Sequence, residues 1–317
     1  MEALVIPSIR EHHLFGFLEA WKNINVHFFI IEDNPTKTFN DARIKDIIGE
    51  EYTHFSWKEI KDTLGDDDWV ISHRDSAIRS FGFLMAHRFG FHYIYTLDDD
   101  CMPIGDPNQF IDDHQNAIYN HPKWTQSYSD TRTRGLPYKN IGLLRNIVLN
   151  MGFWTGIPDL DSIQTLSEFQ WEDKKLNTKI MPSGQYFPLC GMNLCFKEEI
   201  APLMYFPLMG EGYPYRRFDD IWCGIIMKKI CDHLGLFVTC GPPYIDHRRA
   251  SDPFVNLVKE APGIAMNENF WKIIDDIELK GNDCLSCMYD IGCGLREEKD
   301  EYLSKLGQAI DIWTTLF

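Results

Sequence analysis

What this sequence lacks narrows it first. It contains no run of about 18 uninterrupted apolar residues, the length a membrane-spanning helix requires, so no such helix is predicted. The opening "MEALVIPSIR" has no basic start, no long apolar stretch and no small-residue cleavage site, and no signal peptide is expected. Positive charge is scarce: 31 Lys and Arg face 47 Asp and Glu, a formal net charge of -16. That balance argues against nucleic acid or an anionic membrane as the main partner, while permitting a local basic pocket for a phosphorylated substrate. There is no internal repeat, low-complexity tract or clear linker.

Cysteine is odd in number, at nine, which does not suit a closed disulfide framework. Cys190, Cys195, Cys223 and Cys231 sit inside apolar segments, predicting reduced, buried thiols in a cytoplasmic protein. Cys284, Cys287 and Cys293 have the spacing of half a zinc site. No fourth ligand stands nearby, so an unligated loop is expected there.

What is present is an alternating pattern. "ALVIPSI" reads as a strand, "HHLFGFLEAWKNI" as an amphipathic helix and "VHFFIIED" as a second strand ending in acid. "DSAIRSFGFLMAHRFG" has helical spacing with Asp75 at its start and glycine at its close, and "FHYIYTL" follows as a buried strand. Strand-helix alternation predicts an α/β fold with a mixed, mostly parallel sheet. Residues 121 to 188 are richer in turn residues and predict long loops and short strands over the strand ends. "YFPLCGMNLCF" reads as strand-turn-strand, "FDDIWCGIIMKKICDHLG" as a helix closed by Gly235, and "LFVTCGPPYIDH" as a strand running into a Gly-Pro-Pro turn. The expected organisation is a catalytic domain over 1–255 and a mainly helical extension over 256–317.

In parallel sheets, ligands bind beyond the carboxyl ends of the strands. Asp33 and the triplet Asp98, Asp99 and Asp100 fall at such ends. Two carboxylates about 4 Å apart repel by roughly 4 kcal/mol at an effective dielectric near 20, so the triplet is either a solvated turn or helix N-cap, or it is offset by a bound counter-charge. A hard divalent cation, Mn²⁺ or Mg²⁺, takes carboxylate oxygens and shares substrate phosphates. His247, beside Arg248 and Arg249 at another strand end, suits a cation and a diphosphate together or is an ordinary hydrogen-bonded histidine. Asp219 and Asp220 are either helix-terminal acids or groups that contact sugar hydroxyls and handle protons. Arg74 and Arg79, which bracket Asp75, are surface cations or phosphate partners.

The blocks "DSAIRSFGF", "YTLDDDC", "FPLCGMNLCF", "RRFDDIWCG", "ICDHLGL" and "PPYIDHRRASDPFVNL" together resemble the reversibly glycosylated polypeptide family, the UDP-arabinopyranose mutases, from about Val5 to Leu257. The resemblance implies a GT-A-like (Rossmann-like) nucleotide-sugar fold binding Mn²⁺ or Mg²⁺ through a DxD-type cluster, with pyranose–furanose interconversion of a UDP-sugar and self-glycosylation on arginine. It implies Asp33, Arg74, Asp75, Arg79, Asp98, Asn193 and Trp222 around the UDP-sugar. Asp98, Asp99, Asp100 and His247 would hold the metal, with Asp219 and Asp220 at the sugar. "TRGLPYKNIGLL" matches the family's modified-arginine block and places Arg134 there; the family's second arginine falls on Ile141, with Lys139 and Arg145 out of register. A homo- or hetero-oligomer, cytoplasmic or on the cytosolic Golgi face, is also implied. The competing functions are a metal-dependent glycosyltransferase with a separate acceptor and a non-catalytic UDP-sugar-binding subunit.

Overall fold

The computed structural model describes residues 1–119, 121–124, 134–139, 143–167, 175–248 and 252–317. In chain order its elements are β1 (Glu2–Ser8), α1 (Glu11–Trp21), β2 (His27–Glu32), α2 (Asp41–Ile48), β3 (Tyr52–Phe55), α3 (Trp57–Leu64), α4 (Arg79–Arg88), β4 (Tyr93–Leu97), β5 (Cys101–Pro103) and α5 (Pro107–Tyr119). There follow β6 (Ile147–Gly156), α6 (Ser162–Leu166), β7 (Lys179–Ile180), β8 (Asn193–Lys197), α7 (Asp219–His233), β9 (Phe237–His247), α8 (Pro253–Asp276), α9 (Cys284–Arg296) and α10 (Glu301–Thr315).

These strands form one sheet in the order β3-β2-β1-β4-β8-β6-β9-β5, with β7 on β9. β3, β2, β1 and β4 are mutually parallel, as are β6 and β9, while β5, β7 and β8 run against them. The mixed, mostly parallel α/β sheet expected from the sequence is therefore present. Its first half follows directly from composition: Ala3–Ile6 and Phe29–Ile31 are wholly buried apolar runs, as strands covered on both faces require. α4 crosses β1 so closely that a Cβ at Gly82 would stand 2.4 Å from Val5 Cγ1, and only glycine permits that approach.

The second half departs from expectation in three places. β6 is a ten-residue central strand in the region expected to hold short strands and loops. Tyr186–Cys190 forms no strand; only the second part of that block does, as β8. The Gly-Pro-Pro stretch is not a turn but lies within β9. There the register slips, Met151 facing Cys240 and Phe153 facing Tyr244, so residues 241–243 bulge opposite Gly152. Proline has no N–H for the ladder, and side chains satisfy the carbonyls instead: Asn150 Nδ2 donates to Pro242 O at 3.0 Å and Asn193 Nδ2 to Pro243 O at 3.1 Å.

The three C-terminal helices continue the same hydrophobic core. Trp313 Nε1 donates to Pro202 O at 2.8 Å and Tyr302 Oη to Leu208 O at 2.9 Å, both buried. Cys284, Cys287 and Cys293 lie on helix α9 rather than in a loop, with Cys287 buried against the core. Cys284 and Cys287 stand one turn apart on this helix and Cys293 nearly two turns further on. All nine cysteines are free thiols. No helix among the described residues is long and apolar enough to cross a membrane.

Candidate functional site

Because β1, β2 and β4 are parallel neighbours, their carboxyl ends deliver Ser8–Arg10, Asp33 and Asp98–Asp100 to one edge of the sheet. The segment ahead of α4, the start of α7, the end of β9 and residues of α6 and α8 close around them. The result is a cavity of about 790 Å³ lined by Asp33, Arg74, Asp75, Arg79, Asp98, Asp99, Asp100, Asp219, Asp220 and His247, among others. A second cavity of about 360 Å³, lined by residues such as Trp21, Phe110 and Tyr244, contains none of the predicted site residues.

The aspartate triplet resolves its crowding by divergence. Asp98 pairs with the guanidinium of Arg79. Asp99 accepts from Ser8 Oγ at 2.6 Å and faces Arg10 Nη2 at 3.4 Å. Asp100 faces His247 Nε2 at 3.9 Å, across the antiparallel β5–β9 pair. His247 Nδ1 donates to Ile157 O at 2.7 Å, since a carbonyl only accepts, and this bond aims Nε2 toward Asp100. Burial first, then the Asp98 charge, pushes the Asp100 carboxyl up to about 6.

A second group of acids sits opposite. Asp219 accepts from Ser76 Oγ at 2.7 Å, and Asp220 accepts from the Gly191 N–H at 2.7 Å and the Ile221 N–H at 2.8 Å. Burial raises Asp75, Asp219 and Asp220 above the usual carboxylate range, and the charge of Asp219 raises the other two further. At the far rim, Asp33 accepts from Trp57 Nε1 at 2.7 Å, and the Trp57 ring lies flat on His73 with centroids 4.1 Å apart. Arg74 donates to Asp33 O at 3.1 Å and lies over the Trp57 ring.

The sequence model of the family described as "Reversibly glycosylated polypeptide" matches residues 2–317. The chain belongs to that family. "Probable UDP-arabinopyranose mutase 1" of Zea mays is 36% identical over 98% of this chain and 88% of its own length. "UDP-arabinopyranose mutase 1" of Arabidopsis thaliana is 35% identical over 98% of this chain and 90% of its own. Among solved structures, a crystal structure of S. aureus TarS residues 1–349 matches at 10% identity and a TM-score of 0.39, covering 99% of this chain and 89% of that one.

In this member of the family, Asn193, Trp222 and Arg134 do not line the cavity, while Arg79 and Asp99 line it with their side chains already engaged. Asn193 is buried on β8, where its amide donates to Phe153 O and Pro243 O and its oxygen accepts from His114 Nε2 at 3.0 Å. It satisfies the interrupted ladder rather than a ligand. Trp222 is fully buried, stacked on Phe270 at 4.3 Å, with Nε1 bonded to Asn267 Oδ1 at 3.0 Å. Arg79 lines the cavity but is almost wholly buried, with Nε on Ser76 O, Nη1 on Thr96 Oγ1 and Gly191 O, and the guanidinium paired with Asp98, which it holds in place. Asp99 also lines it, its carboxyl held by Ser8 and Arg10. Arg134 is exposed on a turn with Gly135 and does not line the cavity wall. Arg145 lies over the Phe237 ring. Ile141 and Arg249 lie outside the described residues.

Sequence reasoning missed Arg10, Arg217, Asp159 and Glu260, all on the cavity wall. Only the doubled arginine in "YRRFDD" could have flagged one of them; Glu260 has no local signal at all.

Proposed function

We propose that this protein is a UDP-sugar mutase that interconverts pyranose and furanose forms of its bound substrate. The observation that carries the reading is convergence. Asp33, the aspartate triplet and the Asp219–Asp220 pair, distant in sequence, meet in one cavity of a chain 36% identical to a protein named as such a mutase. The cavity volume of about 790 Å³ is within the range of small-molecule sites.

The base and ribose occupy the Asp33 end, where Trp57 fixes the Asp33 carboxylate, Arg74 holds its backbone carbonyl, and Arg74 lines the cavity. The diphosphate lies along Asp98–Asp100, Arg10 and His247. The donor set there would suit a hard divalent cation: Asp100 and Nε2 of His247 face each other, with Asp98 next to Asp99 in the same triplet. Among the described residues no three such side chains already converge on one point, so phosphate oxygens would complete the shell. A Mn²⁺ or Mg²⁺ held by Asp100, His247 and Asp98 would offset the negative charge of the departing UDP.

At the other end, Asp219 and Asp220 face the sugar. Exchange of ring size moves one proton from the 4-hydroxyl to the former ring oxygen, with no net proton uptake. A neighbouring pair in which one carboxyl is protonated and the other ionised supplies and receives that proton. Arg134 belongs to this reading as the site of a covalent sugar: a guanidinium nitrogen would bond the anomeric carbon as the carbon–oxygen bond to UDP breaks, UDP leaving and the nitrogen giving one proton to solvent.

Incubating UDP-arabinopyranose with the protein and Mn²⁺, followed by HPLC, tests the reading. UDP-arabinofuranose formed without any acceptor supports it. Release of UDP and free arabinose alone would overturn it in favour of a glycosyltransferase, and intact-mass analysis of the same samples reads any sugar on Arg134.

A further inference from the structure

Among the described residues, two that are not glycine hold left-handed backbone: Arg74 at φ 58° and Arg217 at φ 64°. Both line the large cavity. A side chain in that region costs on the order of 1–2 kcal/mol, and unlike asparagine, arginine has no short polar group to recover it locally. Strain repeated at one site marks positions fixed for a purpose.

Arg74 is occupied by Asp33, Asn34 and the Trp57 ring. Arg217 is anchored at one nitrogen only: Nε donates to Glu260 Oε1 at 2.7 Å. Glu260 is 4% exposed, on α8, and its second oxygen accepts the Ser162 N–H at 2.8 Å and Oγ–H at 2.7 Å, so it cannot swing. α8 is itself held against the start of α7, since a Cβ at Gly263 would stand 2.4 Å from the Phe218 ring. The side chain of Arg217 remains 39% exposed, and its two terminal nitrogens have no hydrogen-bond partner among the described residues. Arg79 is engaged inside the fold and Arg10 leans on Asp99, while Arg216 and Lys259 also stand on the wall. With Nε held by Glu260, Arg217 presents a fixed, open guanidinium fork two residues before the Asp219–Asp220 pair. Such a fork matches two oxygens of one phosphoryl group.

We propose that Arg217, aligned by Glu260 and Ser162, binds the sugar-bearing phosphoryl group of the nucleotide sugar and neutralises it as the anomeric bond breaks. This rests on the UDP-sugar reading above. It makes the C-terminal helix α8 part of the site, because Glu260 sets the direction of the fork.

Calorimetric titration with UDP and with UMP, in Mn²⁺, separates the possibilities. Wild type is expected to bind UDP more tightly than UMP. Arg217→Gln should lose about 10- to 100-fold in UDP affinity, the span of a charge-assisted hydrogen bond, and leave UMP affinity unchanged, which also shows that the variant is folded. Arg217→Lys should recover part of the loss, and Glu260→Gln should show a smaller loss confined to UDP. An Arg217→Gln protein that binds UDP as wild type does, or loses UDP and UMP affinity equally, overturns the assignment alone. Wild type that binds neither nucleotide sinks the UDP-sugar reading and this assignment with it.

Discussion

Replacing Arg79 separates a ligand-facing cation from a buried positioning group. In Arg79→Met the stem is roughly preserved while the guanidinium disappears, leaving Ser76 O, Thr96 Oγ1, Gly191 O and the Asp98 carboxylate without their donor. A buried acceptor without a partner costs about 1–3 kcal/mol. Thr96 Oγ1 still donates to Val5 O, and Ser76 lies near the surface, so Gly191 O bears most of the penalty and the three together cost about 3 kcal/mol. Asp98 is 38% exposed, so solvent screening holds the lost ion pair to about 1 kcal/mol. The sum is about 4 kcal/mol, against an expected cost under about 1 kcal/mol for Asp98→Asn, which keeps an acceptor for Nη2. Urea unfolding measures both: the Arg79→Met midpoint should fall steeply with the slope unchanged. If Arg79→Met unfolds at the wild-type midpoint yet loses UDP affinity, the guanidinium faces ligand and the positioning role is wrong.

Three further outcomes follow from the geometry. Asp100→Asn should abolish the Mn²⁺ dependence of UDP binding while Asp99→Asn preserves it, because only Asp100 faces His247; equal losses in titrations of the two variants would contradict the assignment. In EDTA, Asp100→Asn should also be more stable than wild type above pH 6. The folded carboxyl is raised, so folding favours its protonated form and wild type loses stability as pH rises from about 3.8 to about 6. The advantage, on the order of 3 kcal/mol, should vanish as pH falls through that window, and a difference in melting temperature that ignores pH would count against it. Trp222→Phe should lower the melting temperature by several degrees through the lost Asn267 bond and ring contact, yet leave UDP affinity intact; weakened binding in a folded variant would return Trp222 to the site.

Legibility differed between the two halves of the sheet for a physical reason. β1, β2 and β4 are buried on both faces, so their apolar runs and the acids that end them are visible locally. β6 carries Asn150, Gly152 and Thr155 in its interior, which look like turn material until His114, Asn193 and β9 are known to surround them. His114 itself, driven down to about 3 by burial, works as a neutral bridge between Asn150 and Asn193, residues 36 and 79 positions away. Trp222 shows the same limit from the other side. Helical spacing places Asp219, Asp220 and Trp222 within one turn of α7, but only packing decides that the acids face the cavity and the indole faces Phe270.

The sequence by itself determined the class of fold, the acidic strand ends, the family and the acids around which the site is built. These are local properties: a buried strand needs a continuous apolar run, and carboxylates crowded at its end need solvent or a counter-charge. Only the tertiary structure decided what each charge does. It tied Asp99 to Ser8, spent Arg79 on Asp98, left Arg217 open and brought Glu260 from the C-terminal helix to aim it. Those outcomes depend on partners up to 91 residues apart, as in the Ser8–Asp99 bond. Charge and burial act through space, and residue order does not encode distance directly.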